Sequence, residues 1–330
     1  MASEARARQR KSKRVVLTSR EPPRYSAVVE VFARSGPSRT GIAAPVTGLN
    51  PLARVTTLVQ PQLDLVEARI IEQAAAFDPA IEGYVTYAIG GRGKRLRPLM
   101  ALLAGGATGR INSGHVDLAV IVELIHLATL VHDDVMDEAE RRRAQPTINA
   151  RWGNSLSVLL GDCLFAHALN LSTSFDNSEI SRAIARAASE ICAGEMIQTQ
   201  RRFDLKLSVE DYLRIVKMKT GSLFAAAAEL GATISEPDSG VIQILKDFGM
   251  RVGTAYQIYD DCLDIAGNES TTGKTLGTDL RKGKFTLPML IFFALRIRIR
   301  ARTLLEFYSR RPLRRSNRDS EKPLGQWRAG

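Results

Sequence analysis

Cysteine, aromatic residues and strand-like alternation are all scarce in this sequence. Three cysteines, Cys163, Cys192 and Cys262, lie far apart in 330 residues with no metal-type spacing. That excludes a disulfide-built fold and a thiolate metal site, and reads as reduced core residues of a cytosolic protein. Aromatics make up 6% of the chain, and almost no segment alternates apolar with polar, which argues against a sheet and for helices. No uninterrupted apolar run reaches the ~18 residues a membrane span needs. The longest, Leu287 to Leu295, is broken by Pro288, so no transmembrane segment is expected. The amino terminus has arginines but no apolar stretch behind them, so it is not a secretory signal. Its Arg- and Ser-rich composition shares features with an organelle transit peptide, but a basic, disordered tail over residues 1–48 and a cytoplasmic location are the expectation.

What is present is charge, unevenly placed. The formal net charge is +11. Residues 1–40 hold 10 Lys/Arg against 3 Asp/Glu, and residues 291–330 hold 11 against 3. The middle of the chain keeps 25 basic and 29 acidic residues, net −4. The basic character belongs to the ends, so a nucleic-acid partner is not expected. The mildly acidic middle suits metal cations.

From Asn50-Pro51 the pattern turns helical, with Leu52, Val55, Leu58 and Val59 recurring at three and four. A helix follows over Leu63 to Ala76, and another starts at Arg97-Pro98 after the flexible Gly90–Gly93 turn. The clearest spans 116–133, its apolar stripe interrupted by Glu123 and His126. Further helices are expected at 155–171, 179–200, 209–232 and 240–265, giving an all-α domain of about ten helices.

Two clusters of the form D-D-x-x-D end two of these helices: Asp133, Asp134 and Asp137, then Asp260, Asp261 and Asp264. On a helix, positions i and i+4 share a face, so like charges crowd there, at the end where the helix dipole disfavours them. A bound cation offsets that cost. Hard divalent cations prefer oxygen, and Mg²⁺ commonly bridges one or two carboxylates to a substrate phosphate. Cations gather nearby. Lys94, Arg95 and Arg97 surround a glycine turn, Arg141-Arg142-Arg143 follows the first cluster, and Lys217, Lys219, Lys274 and Lys284 surround the second. Each set alone reads equally as wet surface.

Taken in order, G-K-R-x-R-P, H-x6-D-D-x-x-D, R-R, K-T, Y-Q-x-x-D-D-x-x-D and G-K resemble the trans-isoprenyl diphosphate synthase (polyprenyl synthetase) family over about residues 50–293. The resemblance implies an all-α isoprenoid synthase bundle around a central cavity, acting as a homodimer. It implies condensation of an allylic diphosphate of farnesyl or geranyl type with isopentenyl diphosphate, with about three Mg²⁺ ions per site. Metal would rest on Asp133, Asp137 and Asp260, supported by Asp134, Asp261 and Asp264. Isopentenyl diphosphate would fall to Lys94, Arg97, His126 and Arg143, and the allylic diphosphate to Arg142, Lys219, Thr220, Gln257 and Lys274, with Lys284 closing the site. Ala128 and Thr129 lie one turn below Asp133, where a larger side chain would block a growing tail. Small Ala128 implies a long-chain product, of the kind that supplies quinone side chains.

Two departures from the family stand out. Ala144 follows the paired arginines where glycine is usual, and after Leu295 the chain becomes an Arg-rich, Pro-broken tail in place of further helices. The domain expected is therefore 49–295, with 296–330 divergent, truncated or frameshifted. Two other readings remain at this point: an impaired or regulatory synthase subunit, and an H-D type metal phosphohydrolase built on His132-Asp133 with His115, His126 or His167.

Overall fold

A computed structural model describes residues 51–91, 93–142, 145–267 and 276–294. The expected tails at 1–48 and 296–330, together with Arg143, Ala144 and Lys274, lie outside these residues. The described chain is helical. It runs α1 (Pro51–Thr57), α2 (Gln60–Glu72) with a 3₁₀ turn at Gln73–Ala76, α3 (Pro79–Ile89), α4 (Leu96–Thr108) and α5 (Ser113–Met136). A minimal hairpin follows, β1 (Arg141–Arg142) against β2 (Gln145–Pro146). Then come α6 (Ile148–Trp152), α7 (Asn154–Ser172), α8 (Ser178–Gln200), α9 (Val209–Val216), a π turn at Lys217–Gly221, α10 (Ser222–Thr233) and α11 (Ser239–Ala266). The short helices α12 (Thr278–Arg281) and α13 (Leu287–Ala294) close the described chain.

The helix starts are chemically marked. The Asn112 side chain accepts from the His115 amide, and the His115 ring accepts from the Asn112 amide, so α5 opens on a reciprocal cap. Ser208 and Asp211 do the same for α9. Asp78 caps α3, whose first residue is Pro79, a signal legible in the sequence that the periodicity had not picked out.

Helix α5 is the hub. Leu118, Val122, Leu124, Ile125 and Ala128 are fully buried, and α5 packs against α2, α4 and α7, while α10 packs against α4, α8 and α11. Two helices, α5 and α7, are in fact long and apolar enough to cross a membrane by length and composition. Counting uninterrupted runs misses them, because isolated polar residues such as Glu123 and His126 break the run while the window stays apolar on average. The apolar window of α5 is 72% buried within the bundle, against 33% for α7. The cysteines are unpaired, as expected, but none is a core residue: Cys192 is exposed, and Cys163 and Cys262 are half-buried.

Candidate active site

The first acidic cluster sits where α5 ends. Asp137 is the C-cap, its amide donating to the Asp133 carbonyl at 2.8 Å, so both carboxylates leave the same side of the helix. Cations meet them there. Lys284 Nζ donates to both Asp137 oxygens at 3.0 Å, Arg202 Nη2 to Oδ1 at 3.1 Å, and Lys282 Nζ lies 3.4 Å from Oδ2. Burial would raise the Asp137 pKa, but the charges of Lys284 and Lys282 outweigh it and hold the group below the ordinary carboxylate value.

Lys219 lies 3.5 Å from Asp133, donates to Gln198 at 3.2 Å and is ion-paired to buried Glu195. Burial would lower its pKa, but the charges of Asp133 and Glu195 raise it above the usual lysine value. Local geometry makes this convergence. The π turn widens the chain at Lys219, a distortion common at functional sites. Facing it, α8 carries Gly194, where a Cβ would stand 2.9 Å from the Lys219 backbone nitrogen. Only glycine lets α8 come this close, bringing Glu195 and Gln198 onto the lysine amine.

The middle aspartates turn away from this cluster. Asp134 is 5% exposed and is gripped by Arg142, whose Nε and Nη2 donate at 2.9–3.0 Å. Arg142, expected on the allylic diphosphate, here donates to that carboxylate. Asp261 accepts from the Tyr212 hydroxyl at 2.5 Å and from Gln257 Nε2 at 2.8 Å, while the Thr220 hydroxyl donates to Gln257 Oε1 at 2.9 Å. Thr220, Gln257, Asp261 and Tyr212 thus form one chain of hydrogen bonds tying the π turn to α11. Burial pushes the Asp261 carboxyl up to about 6, and burial followed by the Asp261 charge raises the Tyr212 hydroxyl. Asp264 accepts from the amides of Thr278 and Asp279, 3.2 Å each, at the start of α12. Asp260 is half-buried on α11.

The glycine-turn cations divide their roles. Arg95 is buried in left-handed backbone, φ 47°, held by Glu67 through Nε (2.5 Å) and Nη2 (3.0 Å) and by buried Glu123 through Nη1 (2.7 Å). Burial works against its charge, but the Glu67 bonds and the Glu123 charge outweigh this and raise its pKa. The polar interruption Glu123 in the α5 stripe is therefore the buried counter-ion of this turn. Lys94 is exposed. Arg97 lies with its guanidinium 4.8 Å from the Phe224 ring centre, and its buried Nε has no protein partner. Burial lowers its pKa, opposed by the charges of Glu123, Tyr256 and Asp133, so Arg97 stands within electrical reach of the first cluster. His126 is half-buried two turns below Asp133, its carbonyl accepting from the Thr129 hydroxyl at 2.7 Å.

The remaining histidines serve the scaffold. His115 bonds to Asn112, Ser235 and the Gly231 carbonyl, His132 to the Val158 carbonyl and Asp162, and His167 to Gln73. Among the described residues no three His, Cys, Asp or Glu converge as a closed metal cage. Sequence reasoning missed Glu67, Glu195, Gln198, Arg202, Tyr212 and Lys282. None stands within a recognisable spacing, and each reaches the site through tertiary packing.

The polyprenyl synthetase family model matches residues 78–320. Octaprenyl diphosphate synthase of Escherichia coli is 37% identical over 239 residues, 72% of this chain and 74% of that protein. A crystal structure of a Caulobacter crescentus polyprenyl synthase complexed with calcium and isoprenyl diphosphate superposes with a TM-score of 0.72 at 39% identity over 78% of each chain. A decaprenyl diphosphate synthase from Rhodobacter capsulatus gives 0.71 at 37% over 79% of each. Fold, motif order and these likenesses agree: this chain belongs to the polyprenyl synthetase family.

Proposed function

We propose that this protein is a prenyltransferase that condenses an allylic diphosphate with isopentenyl diphosphate, building a long-chain all-trans-polyprenyl diphosphate. The carrying observation is that one set of cations is paired to the acidic helix end while a second cation, Arg97, keeps a free buried donor within electrical reach of it. One set, Lys219, Lys282, Lys284 and Arg202, is paired to Asp133 and Asp137. The other is the Lys94–Arg97 turn, where Arg97 keeps a buried, unpartnered donor near Asp133. A single-diphosphate enzyme has use for one set; a condensation of two diphosphates needs both.

Divalent metal suits the carboxylates that the first set of cations surrounds. Asp133 and Asp137 offer hard oxygens from one helix face and already draw cationic side chains, and Asp260 adds a third carboxylate from α11. With no closed cage among the described residues, an ion there would complete its shell from substrate phosphate, as magnesium commonly does. Magnesium, when bound, supplies positive charge against the leaving diphosphate. The related Caulobacter crescentus structure, with calcium and isoprenyl diphosphate, supports this pairing of ion and ligand.

The chain's own residues then act as follows. Lys219 and Lys284 donate to the allylic diphosphate as negative charge grows on it. Lys94, Arg97 and His126 hold isopentenyl diphosphate with its double bond toward the allylic carbon. The C–O bond breaks, the double bond attacks the allylic cation, a C–C bond forms, and a proton leaves to the departing diphosphate. Packed helices keep water from the cation. Arg142 reaches substrate only by releasing Asp134. Ala128, fully buried five residues before Asp133, is a small side chain where a larger one would block the tail, and the long-product reading rests on that.

We further propose a cytoplasmic homodimer. Val158, Leu159 and Met196 stand exposed on α7 and α8, apolar surface that a second copy would cover, and the unpaired cysteines suit a reducing compartment. The functional test is incubation with farnesyl diphosphate, isopentenyl diphosphate and Mg²⁺, with products read by mass. Absence of elongation would overturn the assignment.

A further inference from the structure

Asp137 carries one negative charge and three cations lie within 3.4 Å of it: Lys284, Arg202 and Lys282. The cluster therefore holds a surplus of positive charge in a half-buried place, where like charges repel. It is also held there by construction. The Phe203 amide donates to the Gly283 carbonyl at 2.8 Å. Phe203 has φ 61°, costly for a bulky residue. Gly283 has φ 73°, and a Cβ on it would stand 2.6 Å from the Phe203 ring. This docking of two turns, one after α8 and one after α12, aims Arg202 and Lys282 at one carboxylate. Neighbouring Arg201 is spent on Asp204 and Asp211 instead. The Arg202 Nε is buried with no protein acceptor, so the guanidinium has a donor left for another anion.

A divalent ion on Asp137 is incompatible with three cationic side chains on the same two oxygens, unless an incoming anion takes them. We infer that Arg202 and Lys282 are two further diphosphate-binding residues, parked on Asp137 and transferred to the substrate's phosphate oxygens when it binds. This rests on the function proposed above and enlarges the allylic diphosphate site by two donors. Arg202 would give a planar two-point contact and Lys282 a point charge.

The test uses inorganic pyrophosphate titrated by calorimetry into the full chain in EDTA, so that no metal takes part. The wild type should bind, and Arg202→Gln and Lys282→Gln should each weaken binding about tenfold, the low end for a charge-assisted bond at a half-exposed site. Asp137→Asn, which frees the parked cations, should tighten it. Arg202→Lys should recover part of the loss, and serves if Arg202→Gln folds poorly. In steady state the KM for the allylic diphosphate should rise in both Gln variants, with that for isopentenyl diphosphate unchanged. Variants that bind pyrophosphate as the wild type does, or a wild type that binds none, would reduce Arg202 and Lys282 to counter-ions of Asp137 and overturn the inference. A wild type that binds pyrophosphate yet elongates nothing would count against the functional assignment and leave the two donors standing.

Discussion

Replacing Glu123 by glutamine tests how the isopentenyl station is built. The Glu123 and Arg95 side chains are 5% and 7% exposed and meet at 2.7 Å. Removing one partner of a buried pair costs about 3–5 kcal/mol, because the other charge is left without compensation. Arg95 keeps Glu67, whose side chain is 42% exposed, and glutamine keeps an acceptor oxygen, so the low end applies, about 3 kcal/mol. At about 2–4 °C per kcal/mol for a chain of this class, the melting temperature should fall by about 6–12 °C. The kinetic effect carries a sign. If Arg95 fixes the left-handed turn that sets Lys94 and Arg97, loosening it should raise the KM for isopentenyl diphosphate about tenfold, equal to about 1.4 kcal/mol, leaving that for the allylic substrate unchanged. If Glu123 acts only by charge, its loss relieves Arg97 of a competing carboxylate and the same KM should fall. Thermal unfolding and initial rates on one preparation decide. A lower KM together with an unchanged melting temperature would refute the positioning role.

Three further outcomes are expected. Asp261→Asn should stabilise the metal-free protein at neutral pH while impairing catalysis. The folded-state value near 6 lies above the unfolded one, so the native state holds its proton more tightly. The cost of ionising Asp261 is then absent below about pH 4 and complete above about pH 7, reaching about 3 kcal/mol for two units. Melting temperatures of variant and wild type, measured in EDTA, should diverge across that window, and a constant gap would contradict it. Ala128→Tyr should shorten the product at some cost in stability from overpacking; unchanged chain length by mass spectrometry would refute the tunnel position. Leu159→Asp should shift the protein toward monomer in light scattering, and an unchanged dimer would place the interface elsewhere.

Much of this was legible before the fold was known, for physical reasons. The helices at 116–133, 179–200 and 240–265 showed through because a period of three to four survives any environment. The paired aspartates showed because a one-turn spacing is local. Residues that depend on distant chain closing on itself were not legible. Tyr212 looks like one apolar residue on α9 until it donates to Asp261, and Arg202 and Lys282 sit in turns with no periodicity. Glu123 was visible as an interruption, but its meaning lay 28 residues away in Arg95. The pairing of Arg142 with Asp134 was not legible either, because spacing cannot show that an Arg eight residues on folds back onto the carboxylate. The family match through residue 320 runs past Leu295, where the sequence alone suggested divergence.

The most direct measurement is the product itself. The purified full chain is incubated with farnesyl diphosphate, excess isopentenyl diphosphate and Mg²⁺, with a matched EDTA control, and the extracted diphosphates are weighed by mass spectrometry. The expected result is a ladder extended by isoprene units into the hexaprenyl-to-decaprenyl range, absent in EDTA. Elongation that stops at the first addition would contradict the chain-length reading at Ala128. No elongation from a folded protein would contradict the central claim that these two cation sets serve a condensation.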